Sequence, residues 1–116
     1  MKDFRQLQVW SKSHDIVKDL YHITESFPKE ERFGLTSQLR RAGVSIPTNI
    51  AEGCGRGSDA DFKRFIQIAF GSASEVEYLV FLSFELSFMK EKDYQLLHTK
   101  LVEIKKMLAS LINKLK

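Results

Sequence analysis

The chain has 116 residues, 43% of them hydrophobic and 28% charged. This is ordinary globular composition for one domain with a real core, and it excludes whole-chain disorder. A single cysteine, Cys54, excludes an intrachain disulfide or a cysteine zinc cluster, and the net charge of +3 permits nucleic-acid binding without demanding it.

The first segment, from about Phe4 to Ser26, places Leu7, Trp10, Ile16, Val17, Leu20, Ile23 and Phe27 at three- and four-residue spacing. That is one apolar stripe, and the spacing predicts a helix over 4–26 that Phe27-Pro28 ends. A second helix is predicted over 30–53, with Leu35, Leu39, Ala42, Ile46 and Ile50 inside and Pro47 kinking it. Gly53 and Gly55 are expected to supply its left-handed C-terminal turn.

Ser58 reads as the N-cap of a third helix, over 58–88, with Asp59 and Asp61 in the first turn, where the helix dipole favours them. Phe62, Phe65, Ile66, Ala69, Phe70, Ala73, Val76, Val80 and Phe84 form its core stripe. Ile68, Leu79, Leu82 and Leu86 add a second strip, widened by Tyr78, Phe81 and Phe88, and this surplus argues for contact between subunits. A polar turn over Met89 to Asp93 precedes a fourth helix, over 93–115, whose Leu97, Leu101, Ile104, Leu108, Leu111 and Leu115 make a bundle seam. Four such helices on short connections predict an all-α, antiparallel up-down-up-down four-helix bundle, one domain over 1–116.

On a helical wheel of about 100° per residue, Gln38, Arg41, Ser45, Asn49 and Glu52 form a polar stripe directly beside the core stripe of the second helix. Polar groups at a core edge need partners. Arg41 and Glu52 stand about 16 Å apart along the axis, so each is expected to find its partner on another helix or another subunit. The stripe is read as a device for packing or assembly, with a ligand-reading site as the alternative. The glycines at 53, 55 and 57 follow a helix and lack a G-K-[ST] sequence, which excludes a phosphate-binding loop.

No arrangement of residues suggests catalysis, a metal centre or a cofactor. His14, His22 and His98 are scattered, Glu75 and Glu77 point to different faces, and Cys54 has no base beside it. The N-terminus has no apolar leader, and the apolar run YLVFLSFELSFM is about half a membrane span, so the expectation is a cytoplasmic protein with no membrane role. Charge is uneven: residues 65–99 carry two basic and five acidic groups, whereas 100–116 carry five lysines and one glutamate. Arg40, Arg56, Lys63 and Arg64 cluster around the second turn, and Lys100, Lys105, Lys106, Lys114 and Lys116 stud the last helix. Arg40, Arg56, Lys63, Arg64, Lys100, Lys105 and Lys106 are the candidate nucleic-acid contacts, through phosphate electrostatics.

The stretches LTSQLRRA (35–42), SIPTNIAEG (45–53) and AFGSASE (69–75) resemble the bacterial family of 23S rRNA intervening-sequence proteins, also labelled S23 ribosomal proteins. The similarity spans nearly the whole chain. It implies a homo-oligomer, a barrel-like pentamer of four-helix bundles, with a positive surface able to engage structured RNA or DNA. A related member of the family is an accessory factor of a retroelement reverse transcriptase. Two functions compete: a nucleic-acid-binding or adapter protein, and a structural or protein-interaction scaffold whose partner is protein.

Overall fold

The chain enters its first long helix later than the periodicity predicts. In the computed structural model, which describes residues 2–115, Asp3 accepts the Arg5 N–H at 3.0 Å and starts a short 3-10 turn, Phe4–Gln6. Leu7 is then extended (φ −89°, ψ 124°), and α1 runs over Gln8–Thr24. The second predicted helix also starts late: a 3-10 turn, Lys29–Glu31, is followed by a break at Gly34, and α2 spans Leu35–Cys54. The Glu31 carboxylate reaches across that break to accept the Leu35 N–H at 3.0 Å, replacing an N-cap side chain.

Pro47 lies inside α2, which continues as one element on both sides of it. Its ring removes the N–H that would bond the Gly43 carbonyl. Two residues further on, the Asn49 side-chain amide donates to the Ser45 carbonyl at 2.8 Å and to the Ser45 hydroxyl at 2.9 Å, adding bonds to the turn that the proline weakens.

The helix does not end in a left-handed glycine. Gly55 has φ −81° and ψ −6°, and no glycine among the described residues has positive φ. Instead the last turn tightens, with the Gly55 N–H shared between the Ala51 and Glu52 carbonyls and Arg56 N–H bonding Gly53.

Helix α3, Asp59–Glu85, begins as predicted, with the Ser58 hydroxyl accepting the Asp61 N–H at 3.1 Å. It stops three residues early, at a left-handed Ser87 (φ 65°). There the Ser87 N–H bonds the Phe84 carbonyl and the Phe88 N–H bonds the Ser83 carbonyl, both at 2.9 Å, the paired closure of a Schellman turn. Helix α4 covers Glu91–Lys114, starting two residues before its predicted position. Met89 is 5% exposed and plugs the bundle end, so this turn is not the polar connection expected.

Each helix packs on its sequence neighbours and α1 closes on α4, while the diagonal pairs meet only through core side chains among the described residues. Contacting pairs fix the directions. Lys12–Glu103 and Lys100–Asp19 run α1 against α4, Lys105–Glu77 and Tyr94–Phe84 run α4 against α3, Ser45–Ser72 and Gly53–Phe65 run α2 against α3, and Arg40–Thr24 and Gly43–Leu20 run α2 against α1. In each seam the residue number rises on one helix as it falls on the other, the antiparallel up-down-up-down order.

Ile16, Leu20, Leu39, Ile46, Ile50, Phe62, Ile66, Val76, Leu97, Leu101, Ile104 and Leu108 are fully buried, each stabilising the fold by roughly 1.5–3 kcal/mol. Leu79, assigned from its spacing to the outer strip of α3, is 3% exposed and belongs to this core. Buried hydroxyls satisfy themselves on the preceding turn: Ser13 on Val9, Thr24 on Leu20 and Ser83 on Leu79.

Small residues set two of the closest approaches. A Cβ on Gly53 would stand 2.9 Å from Phe65 Cβ, and one on Gly43 would stand 2.6 Å from a Leu20 methyl. By length and composition alone α3 is long and apolar enough to cross a membrane, more than the half-span read from YLVFLSFELSFM. Its inner face here lies in the bundle core.

Candidate nucleic-acid interface

Antiparallel packing brings the α2–α3 turn, the start of α1 and the end of α4 to one end of a body measuring 43 × 23 × 19 Å. Lys2, Arg5, Arg56, Lys63, Arg64, Lys106 and Lys114 gather there, against Asp3, Glu52, Asp59 and Asp61. The other end holds Lys29, Arg32, Arg40, Arg41, Lys90 and Lys92 against Glu25, Glu30, Glu31, Glu85, Glu91 and Asp93. One end therefore carries a basic excess, and the other is balanced. The segmental charge pattern of the sequence becomes a lengthwise polarity only through the fold.

The basic cluster is built on aromatic rings. The Arg56 and Arg64 guanidinium groups lie over the Phe65 ring at 4.8 and 4.5 Å, and the Lys2 ammonium lies over Phe62 at 4.6 Å. Phe62 and Phe65 are core residues of α3, so the cations rest on a rigid base. Each also has a carboxylate nearby: Arg56–Glu52 at 3.3 Å, Arg64–Asp61 at 3.6 Å and Lys2–Asp59 at 3.6 Å. Exposed pairs of this kind contribute only about 0–1 kcal/mol, so a phosphate can replace the carboxylate at little loss. Lys63, half-buried between Phe62 and Arg64 in sequence, is in no ion pair among the described residues.

Lys2 carried no sequence mark as a member of this group. It is placed by a backbone bond, its own N–H to the Cys54 carbonyl at 3.0 Å, which holds the N-terminal residues against the α2–α3 turn. Burial pushes the Cys54 thiol up from its ordinary range, and the neighbouring Lys2 charge partly counters this.

Other predicted contacts are engaged inside the bundle. Arg40 donates to the Thr24 hydroxyl at 2.9 Å and to the Tyr21 carbonyl at 3.2 Å, and its guanidinium covers the Tyr21 ring at 4.5 Å. It caps the C-terminal end of α1, where a cation complements the dipole, and it lies away from the basic end. Lys100 is held by Asp19 of α1, and Lys105 by Glu77 of α3 at 2.8 Å. These two tie α4 to its neighbours. Lys106 and Lys114 are exposed and unpaired among the described residues, and Lys116 lies outside them.

The polar stripe of α2 divides. Ser45 and Asn49 are half-buried, and the Ser45 and Ser72 hydroxyls meet at 2.8 Å across the α2–α3 seam, so the middle of the stripe does fix packing. Glu52 finds its partner not on another helix but in Arg56, four residues on, at the end of its own. The wheel missed this because it stopped at the glycines. Gln38 and Arg41 are exposed and share a shallow cleft with Phe33 and Glu75, and Arg41 makes no ion pair or side-chain hydrogen bond among the described residues.

The histidines lie elsewhere: His14 stacks on Trp10 at 4.9 Å and His98 on Tyr94 at 5.8 Å. A wide cleft at the opposite end is lined by His22, Glu25, Lys92 and Asp93 around Ser87. Its mixed charge gives a polyanion no advantage.

The family model for the 23S rRNA-intervening sequence protein matches residues 5–110. No match is found among curated proteins. The fold is similar to the 1.70 Å crystal structure of a protein of unknown function, of the S23 ribosomal protein family, from Bacteroides thetaiotaomicron VPI-5482. The TM-score is 0.79 at 30% identity, over 90% of this chain and 97% of that one. With a match over nearly the whole length and a shared four-helix architecture, the chain belongs to the 23S rRNA-intervening sequence protein family.

Proposed function

We propose that this protein is a homo-oligomeric helical bundle that binds structured RNA through its basic end, without catalysis. The observation that carries the reading is the set Arg56, Lys63 and Arg64, mounted on Phe65 and the first turns of α3. The name of the family adds the expectation that the nucleic acid is RNA. Binding of this type is electrostatic and falls steeply with salt, in proportion to the phosphates neutralised.

Assembly is supported by exposed apolar groups on different faces of the bundle. Ile68 (41% exposed), Tyr78 (60%) and Phe81 (45%) face outward from α3, while Phe4, Trp10, Val17 and Val44 line a groove between α1 and α2. Two different faces meet head to tail and close into a ring, with a pentamer the expected number. Repeating the basic end around a ring multiplies the positive field.

The test is fluorescence anisotropy with a structured RNA hairpin across a salt series. Binding at low salt that the double change Lys63→Glu, Arg64→Glu abolishes supports the reading. No detectable binding at low salt, or binding that the double change leaves untouched, overturns it. Light scattering tests assembly, which a stable monomer at micromolar concentration would refute. A protein-interaction scaffold is the second reading, favoured by the outward aromatics of α3. A partner profile that survives nuclease treatment would select it.

A further inference from the structure

The seam between α1 and α4 is the least extensive of the four helix contacts, and it leaves a groove along the start of α1 and the last turns of α4. Leu7, Val9, Met107 and Leu111 form its floor. Lys106 and Lys114 stand at its rim, both exposed and neither in an ion pair among the described residues. No carboxylate among the described residues lines it. The nearest acidic group on α4, Glu103, is turned to Lys12 at 3.3 Å.

The two lysines are eight residues apart on one helix ridge, about 12 Å along the axis. Lysines alone would suit any polyanion. An apolar floor would not, because burying Leu7, Met107 and Leu111 is favourable only against apolar groups, which a phosphate backbone does not offer. Methionine adds a side chain that repacks around differing shapes. The two features together fit a surface with an apolar stripe and an acidic edge.

We propose that this groove docks an amphipathic helix of a partner protein. Its apolar stripe would lie on Leu7, Met107 and Leu111, and carboxylates two turns apart would face Lys106 and Lys114. The groove uses Lys106 and Lys114 of the basic end, but not Arg56, Lys63 or Arg64, which carry the proposed RNA contact.

The experiment titrates the isotopically labelled full chain with two synthetic helical peptides of about five turns. They share one leucine stripe, flanked by glutamates in the first and by lysines in the second. The expected result is that the glutamate peptide shifts the amides of Leu7, Val9, Met107 and Leu111 and binds about tenfold or more tightly than the lysine peptide. Lys106→Glu with Lys114→Glu reverses the preference. Lys106→Gln with Lys114→Gln weakens the glutamate peptide without reversal, a readout that stands if the charge-reversed chain folds poorly. Lys63→Glu with Arg64→Glu leaves the preference unchanged. Failure of both peptides to bind, equal affinities, shifts centred on another face, or indifference to the Lys106 and Lys114 changes would overturn the proposal.

Discussion

Three glycines in helices separate propensity from packing. Replacing a helical glycine by alanine gains about 1 kcal/mol where nothing obstructs the new methyl. At Gly71 the added Cβ meets nothing within 4 Å, so Gly71→Ala should stabilise the bundle by close to that amount. At Gly53 the same methyl would stand 2.9 Å from Phe65 Cβ, 3.3 Å from the Phe62 ring and 3.4 Å from the Phe62 carbonyl oxygen. None of these is the free end of a flexible side chain. Helix α3 itself has to retreat, and overpacking of a well-filled seam costs about 1–3 kcal/mol. We expect Gly53→Ala to lose about 1–2 kcal/mol net, after the propensity gain. Gly43→Ala is intermediate, since its 2.6 Å neighbour is a terminal methyl of Leu20, which can turn but only within a closed core. Urea unfolding followed by circular dichroism gives all three values from shifts in midpoint at constant slope. The order of stability should be Gly71→Ala, wild type, Gly43→Ala, Gly53→Ala. A Gly53→Ala protein as stable as wild type would refute the idea that backbone proximity, rather than helix propensity, fixes glycine at the α2–α3 seam.

Ser87 holds a left-handed conformation without being glycine (φ 65°). Ser87→Gly should therefore raise stability by about 0.5–1 kcal/mol, visible as a higher melting temperature, while Ser87→Val should lower it. The Cys54 thiol, buried and with its pKa raised above the unfolded value of about 8.5, contributes stability that is present below that pH and lost as pH rises through it. Cys54→Ala should thus show a shallower loss of stability than wild type as pH rises above about 8.5. Iodoacetamide at pH 8 should label Cys54 only after denaturant is added, and fast labelling of the folded chain would contradict its burial.

The bundle was legible because periodicity is a property of single helices, and the stripes Leu35-Leu39-Ala42-Ile46-Ile50 and Leu97-Leu101-Ile104-Leu108 needed no knowledge of their partners. Helix ends were less so. The break at Leu7 follows a 3-10 turn that Asp3 caps, and the late start of α2 follows the Glu31 carboxylate, which takes the Leu35 N–H. The Schellman turn was hidden because serine, not glycine, occupies the left-handed position.

The site was legible in part. Arg56, Lys63 and Arg64 are neighbours in sequence, and the helix start that groups them was visible in Ser58 and its two aspartates. Arg40, Lys100 and Lys105 looked equally available. Their partners lie 16, 81 and 28 residues away, so only the packed bundle shows them engaged. Lys2 is the converse, joined to the cluster by a contact across the chain.

Antiparallel helices cancel one another's macrodipoles almost completely, so the difference in charge between the two ends of the 43 Å bundle comes from side chains alone. Such a body behaves as a small electric needle. In the field of a polyanion it turns before it touches, with the α2–α3 turn leading and the α3–α4 turn trailing. For the RNA binding proposed above, fewer encounters would then be wasted on wrong orientations, and added salt would slow association by loosening that alignment as well as by weakening the final contacts.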